Sequence, residues 1–102
     1  MIDLITNRTA ELTELCRIHH VRKLEIFGSA ATDGFDPATS DLDFLVDFQS
    51  MPPIDHGNAY FDLWFGLADL FGREVDLVET VGIKNPYFLK TVNVNRQVVY
   101  AA

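Results

Sequence analysis

The chain has 102 residues, 48% of them hydrophobic, and a formal net charge of −7; that length fits one domain with one core, taken as a single unit over 1–102. The acidic balance argues against a nucleic-acid binder, whose affinity needs a basic face, while suiting a protein that docks on a basic partner. The single cysteine, Cys16, excludes an intrachain disulfide and points to a reducing cytoplasm, and no apolar run is long enough to cross a bilayer, so no membrane partner is expected.

Residues 2–19 are predicted as a helix, because Leu4, Ile5, Leu12, Leu15 and Cys16 fall on one third of the helical wheel while Thr6, Arg17 and His20 lie elsewhere. Lys23–Ser29 reads as a strand whose apolar residues are Leu24, Ile26 and Phe27. Residues 30–40 hold two turn signals, Asp33-Gly34 and Asp36-Pro37. Leu42–Phe48 is a second strand with Leu42, Phe44, Val46 and Phe48 on one face. Met51-Pro52-Pro53 breaks the pattern. Residues 56–71 form a second helix, ended by Gly72 just past its C-terminus. Glu74–Glu79 is a third strand. Asn85-Pro86 starts a short terminal helix, with Pro86 suited to its first position, and Val98-Val99-Tyr100 is expected as an apolar tail against the core. This order describes an α/β (α+β) domain, a small mixed β-sheet flanked by helices.

The chemistry concentrates around Gly28-Ser29 and Ser40-Asp41-Leu42-Asp43. Side chains at i and i+2 of a strand share a face, so Asp41 and Asp43 project together. Two like charges held that close repel unless a cation sits between them. Oxygen-only ligands favour Mg²⁺, which takes one or two carboxylates plus substrate phosphates. Asp76 lies between Val75 and Leu77, and a charge inside an apolar strand needs a reason. With the third strand beside the second, Asp76 joins the pair, and three carboxylates can hold two divalent ions roughly 3.5–4 Å apart. Gly28 has no Cβ and lets a phosphate approach the backbone; Ser29 adds a hydroxyl. Ser40 has the chemistry of a turn cap. Adjacent helical residues do not share a face, so His19-His20 is not read as a metal site, and Cys16 on the buried stripe is read as a small core residue.

Gly28-Ser29, the spacer, Ser40-Asp41-Leu42-Asp43 and then Asp76 resemble the signature of the DNA polymerase β-like nucleotidyltransferases. Phe35-Asp36-Pro37, Phe44-Leu45-Val46, Tyr60-Phe61-Asp62-Leu63, Val75-Asp76-Leu77-Val78 and Asn85-Pro86-Tyr87-Phe88 are similar to phrases of its minimal, MNT-type members, over nearly the whole chain. The resemblance implies Mg²⁺-dependent transfer of AMP from ATP to a hydroxyl, with two Mg²⁺ ions. It implies an antitoxin whose partner is an HEPN-type toxin and whose acceptor is a tyrosine of that toxin. Asp41 and Asp43 would hold both metals. Asp76 would hold the catalytic one and help deprotonate the acceptor. Gly28, Ser29 and Ser40 would bind the nucleotide. Larger relatives carry an added domain for their acceptor; at 102 residues the acceptor is expected on another molecule.

The chain departs from the family phrase at one position, where Thr32 stands for an expected arginine. Threonine cannot supply the bidentate, charged phosphate contact; Lys84, Lys90 and Arg96 are candidates to replace it. The alternative is an antitoxin with little or no activity that neutralises its toxin by binding alone. In the second helix, Tyr60, Leu63, Trp64, Leu67 and Phe71 follow core spacing, and Phe61, Phe65 and Ala68 form another stripe. A helix apolar almost all round is buried or covered by a partner, so the Phe61/Phe65 stripe is a candidate interface to a partner protein or a second copy.

Overall fold

The computed structural model describes residues 2–32, 34–36, 38, 40–80, 90 and 95–102. Two short helices open the chain, α1 (Asp3–Thr6) and α2 (Thr9–Ile18), followed by β1 (Val21–Phe27), a 3₁₀ turn (Gly28–Ala31), β2 (Leu42–Phe48), α3 (Pro53–Phe71), β3 (Val75–Glu79) and β4 (Gln97–Ala101). The single helix expected over 2–19 is divided at Asn7-Arg8. Its cause is local: Thr6 Oγ1 donates to Ile2 O, and Thr9 Oγ1 donates to Thr6 O at 3.0 Å. Such side chains offer the backbone an alternative to the continuous ladder. Both halves still bury the expected stripe, Ile5 in α1 and Leu12 and Cys16 in α2. Burial pushes the Cys16 thiol up to about 12, so it is an inert core residue.

The four strands form one mixed sheet in the order β3-β2-β1-β4. β1 pairs antiparallel with β2 and β4, while β2 and β3 run parallel and are joined through α3. The C-terminal segment read as an apolar tail is thus a paired edge strand, with Ile26 opposite Gln97 and Leu24 opposite Tyr100. The terminal helix expected at Asn85-Pro86 lies outside the described residues.

The two faces of the sheet differ. Leu24, Ile26, Leu42, Phe44, Val46, Val75 and Leu77 pack under the helices with Ile5, Leu12, Leu63, Leu67 and Phe71. Phe27, Leu45 and Val78 form a smaller apolar cluster on the opposite face. Alternation along β2 and β3 puts Asp43 and Asp76 on that second face, one step beyond the small cluster. Helix α3 ends at Gly72, whose φ of +61° is the left-handed geometry glycine adopts at little cost. On its outer side Phe61 and Phe65 remain 60% and 62% exposed, whereas Ala68, grouped with them by spacing, packs against the core. No described helix is long and apolar enough to cross a membrane.

Candidate active site

The site is built where the C-terminal end of β1 meets the N-terminal ends of β2 and β3. The register sets Phe27 opposite Asp43 and Asp43 opposite Asp76, a row across three adjacent strands. Asp43 and Asp76 are neighbours across β2 and β3, with their carboxyl groups close enough to interact directly. Burial, then the interaction with Asp76 and the charge of Asp41, push the Asp43 carboxyl up to about 6. Asp41 stands just before β2, exposed, and its charge is felt at Asp43. The structure therefore brings Asp43 and Asp76 together across adjacent strands, with Asp41 near enough for its charge to act on Asp43.

Gly28 adjoins the same carboxylate. Its φ is +67°, and a Cβ built on it would lie 2.4 Å from Asp43 Oδ2. Only a residue without a side chain allows this approach between the turn and β2. The 3₁₀ turn that follows carries half-buried Ser29 and is closed by Thr32, whose N–H donates to Ser29 O at 3.0 Å. Thr32 Oγ1 also donates to Ser29 O, at 3.0 Å, and accepts from Gly34 N–H, at 3.1 Å. Where an arginine was expected, the side chain thus finishes a turn. Ser40 sits on the other side of the loop, where its Oγ accepts from Asp36 N–H and its N–H donates to Asp36 O, both at 2.9 Å. In this arrangement Ser40 holds the loop that delivers Asp41.

Two residues, Arg73 and Glu25, were not singled out in the sequence. Arg73 Nη1 donates to Ser40 O at 3.1 Å and its guanidinium lies over the Phe35 ring, 5.3 Å from the centroid, clamping the same loop. Glu25, only 3% exposed, bonds Arg96 Nε through Oε2 at 2.9 Å, with Lys23 Nζ at 3.3 Å. Its signal was available: it is a charge inside an apolar strand, the argument that exposed Asp76. The pairing of Gln97 with Ile26 brings Arg96 level with the end of β1 that carries Gly28. Lys90 is exposed, and Lys84 lies outside the described residues. Tyr60 and Trp64 of α3 border a cleft with Asp43 and Asp76.

Among the described residues no three His, Cys, Asp or Glu side chains stand as a ready-made metal-holding group. The donor set nevertheless fits a hard cation. It offers oxygen alone, on one face, with two acids pressed against each other. Mg²⁺ keeps open positions for substrate phosphates and needs only one or two carboxylates from the protein.

Fold and site together define a minimal nucleotidyltransferase-type domain, a mixed sheet backed by helices with acidic residues and a glycine turn at one end. The chain belongs to the nucleotidyltransferase domain family, whose model matches residues 11–99. It is 39% identical over 74 residues to a Methanocaldococcus jannaschii protein that carries the provisional name protein adenylyltransferase, covering 72% of this chain and 71% of that one. A solved structure provisionally described as a minimal nucleotidyltransferase is 30% identical, with a TM-score of 0.64 over 94% of this chain and 95% of its own. The fold is shared with a chain in the complex of tri-AMPylated Shewanella oneidensis HEPN toxin with MNT antitoxin, at 18% identity and a TM-score of 0.64, covering 96% of this chain and 73% of that one.

Proposed function

We propose that this nucleotidyltransferase transfers AMP from ATP to a tyrosine hydroxyl of an HEPN-type toxin and acts as its antitoxin. The observation that carries the reading is the contact of Asp43 with Asp76 beside the glycine turn, because two acids so placed need a cation. Asp41, Asp43 and Asp76 would hold Mg²⁺, two ions in full occupancy, which would neutralise charge on the triphosphate and on the attacking oxygen. Gly28 and Ser29 receive the phosphates against the backbone. Arg96, anchored by buried Glu25, supplies the positive charge that Thr32 does not.

In the reaction the acceptor oxygen bonds to the α-phosphorus and the bond to the oxygen bridging α- and β-phosphorus breaks. Pyrophosphate leaves with the electron pair, and the hydroxyl proton passes to Asp76. The protein contributes positioning and charge compensation. A second reading, neutralisation by binding alone, draws on the loss of the loop arginine to a turn-closing threonine and on the exposed Phe61 and Phe65.

One experiment separates them. Purified protein with ATP, Mg²⁺ and the HEPN partner is expected to add the mass of AMP to the partner, and Asp41→Asn with Asp43→Asn to abolish the increment. A double variant that still neutralises the toxin as well as the natural protein would favour binding alone.

A further inference from the structure

The cleft on the β3 side of the carboxylates has walls to which AMP transfer, as read above, assigns no role. It holds about 470 Å³ and is bordered by Phe27, Asp43, Tyr60, Trp64, Asp76 and Val78. Its acids lie together, and the rest of its described lining is aromatic or aliphatic. The two α3 rings are fixed in place: Tyr60 Oη donates to Leu77 O at 2.6 Å and Trp64 Nε1 donates to Val75 O at 2.8 Å. His56 and Glu79 extend the same series. The spacing makes it possible, since four helical residues rise about 6 Å and two strand residues about 6.6 Å. Residues 56, 60 and 64 therefore keep step with 79, 77 and 75. The polar tips are bound to the strand edge, and the ring faces are left as a rigid wall. A wall ordered in advance loses little freedom when something packs on it.

The geometry points to this cleft as the acceptor subsite, taking the phenol of a partner's tyrosine with its ring against Trp64 and Tyr60 and its hydroxyl at Asp76. The inference rests on the transfer reading and adds what selects the acceptor. The triphosphate is the poorer occupant: among its described lining residues the cleft has two carboxylates and no cationic side chain, whereas Gly28 and Ser29 lie on the β1 side of Asp43. A serine or threonine acceptor would leave the aromatic walls uncovered. A phenol covers them, and its proton, with an ordinary pKa of about 10, passes to a carboxylate more readily than that of an aliphatic alcohol. That proton goes to Asp76 as the phenol oxygen bonds to the α-phosphorus and pyrophosphate departs.

Trp64 is the sole tryptophan of the chain, so its fluorescence reports on the cleft. With Mg²⁺ and a non-hydrolysable ATP analogue present, N-acetyl-tyrosinamide is expected to change Trp64 emission saturably and N-acetyl-serinamide to leave it unchanged. A saturable change from the nucleotide analogue to which the phenol adds nothing would assign the cleft to the base and overturn the inference, as would no response to either. In transfer assays Trp64→Ala is expected to raise KM for the acceptor protein about tenfold or more while nucleotide affinity stays within about twofold. A folded Trp64→Ala protein with an unchanged acceptor KM would overturn the inference while the transfer reading stands. A natural protein that labels no acceptor would end the transfer reading, and the titration would still decide the cleft.

Discussion

Gly28 shows how far one residue constrains the site. Alanine there would put a Cβ 2.4 Å from Asp43 Oδ2 in a backbone conformation, φ +67°, that L-residues avoid. The conformation alone costs about 1–2 kcal/mol, and the clash adds displacement of the carboxylate. Gly28→Ala is expected to lower the thermal midpoint and to remove activity more completely than stability, which melting and AMP-transfer assays on the same sample would separate. Asp43 carries a pH signature. Burial first, then Asp76 and Asp41, hold its carboxyl at about 6 in the fold, against about 3.9 unfolded. The folded state therefore binds more protons between those values, and stability falls as pH rises through that interval. Melts in EDTA should show the metal-free protein losing stability from about pH 4 to about pH 6, and Asp43→Asn should flatten the slope. Added Mg²⁺ should restore stability near neutrality in the natural protein alone. A slope that Asp43→Asn leaves intact would show that other groups govern it.

At the scale of elements, α3 performs two tasks with two faces. Leu63, Leu67 and Phe71 enter the core, and Tyr60 and Trp64 bond the edge of β3 that no described strand pairs. That bonding matters because an open strand edge is a template for unwanted pairing. Gly57 sits inside this helix with nothing within 4 Å of an added Cβ. Gly57→Ala should stabilise the fold by about 0.5–1 kcal/mol through helix propensity, read as a raised denaturation midpoint with an unchanged slope. The element pattern was largely legible: β2 runs over the expected Leu42–Phe48, and α3 ends at the expected Gly72. Misplacements came where side chains competed with the backbone, at Thr6 and Thr9, and where a positive φ turned the chain out of the sheet, at Gly28. Neither effect has a hydrophobic period to betray it.

Across the whole molecule, acidic charge and apolar exposure combine on the outer face of α3. Phe61 and Phe65 project from α3 among Asp62 and Asp69, on a chain of net charge −7. An apolar pair rimmed by acids on an acidic protein suits a basic partner surface. Replacing both phenylalanines by alanine should leave the thermal midpoint nearly unchanged, because both side chains are mostly exposed. Co-purification with the proposed HEPN-type partner should be lost. Retained co-purification would move the interface elsewhere. This exposure was half legible: the spacing showed a helix with two apolar stripes, but which stripe enters the core depends on where the sheet lies.

Local chemistry in the sequence was enough to indicate the strands, the turn glycine, the paired aspartates and the family they resemble, because periodicity and turn propensity act between near neighbours. The meeting of Asp76 with Asp43 was expected on the condition that β3 lies beside β2, which the fold supplies, whereas the buried Glu25–Arg96 pair, the clamp of Arg73 on Ser40 and the alignment of α3 with the β3 edge were decided by the tertiary structure alone. Each joins residues far apart in the chain, and strand order, register and crossover, set by burial of the whole apolar face at once, determine which of them come together.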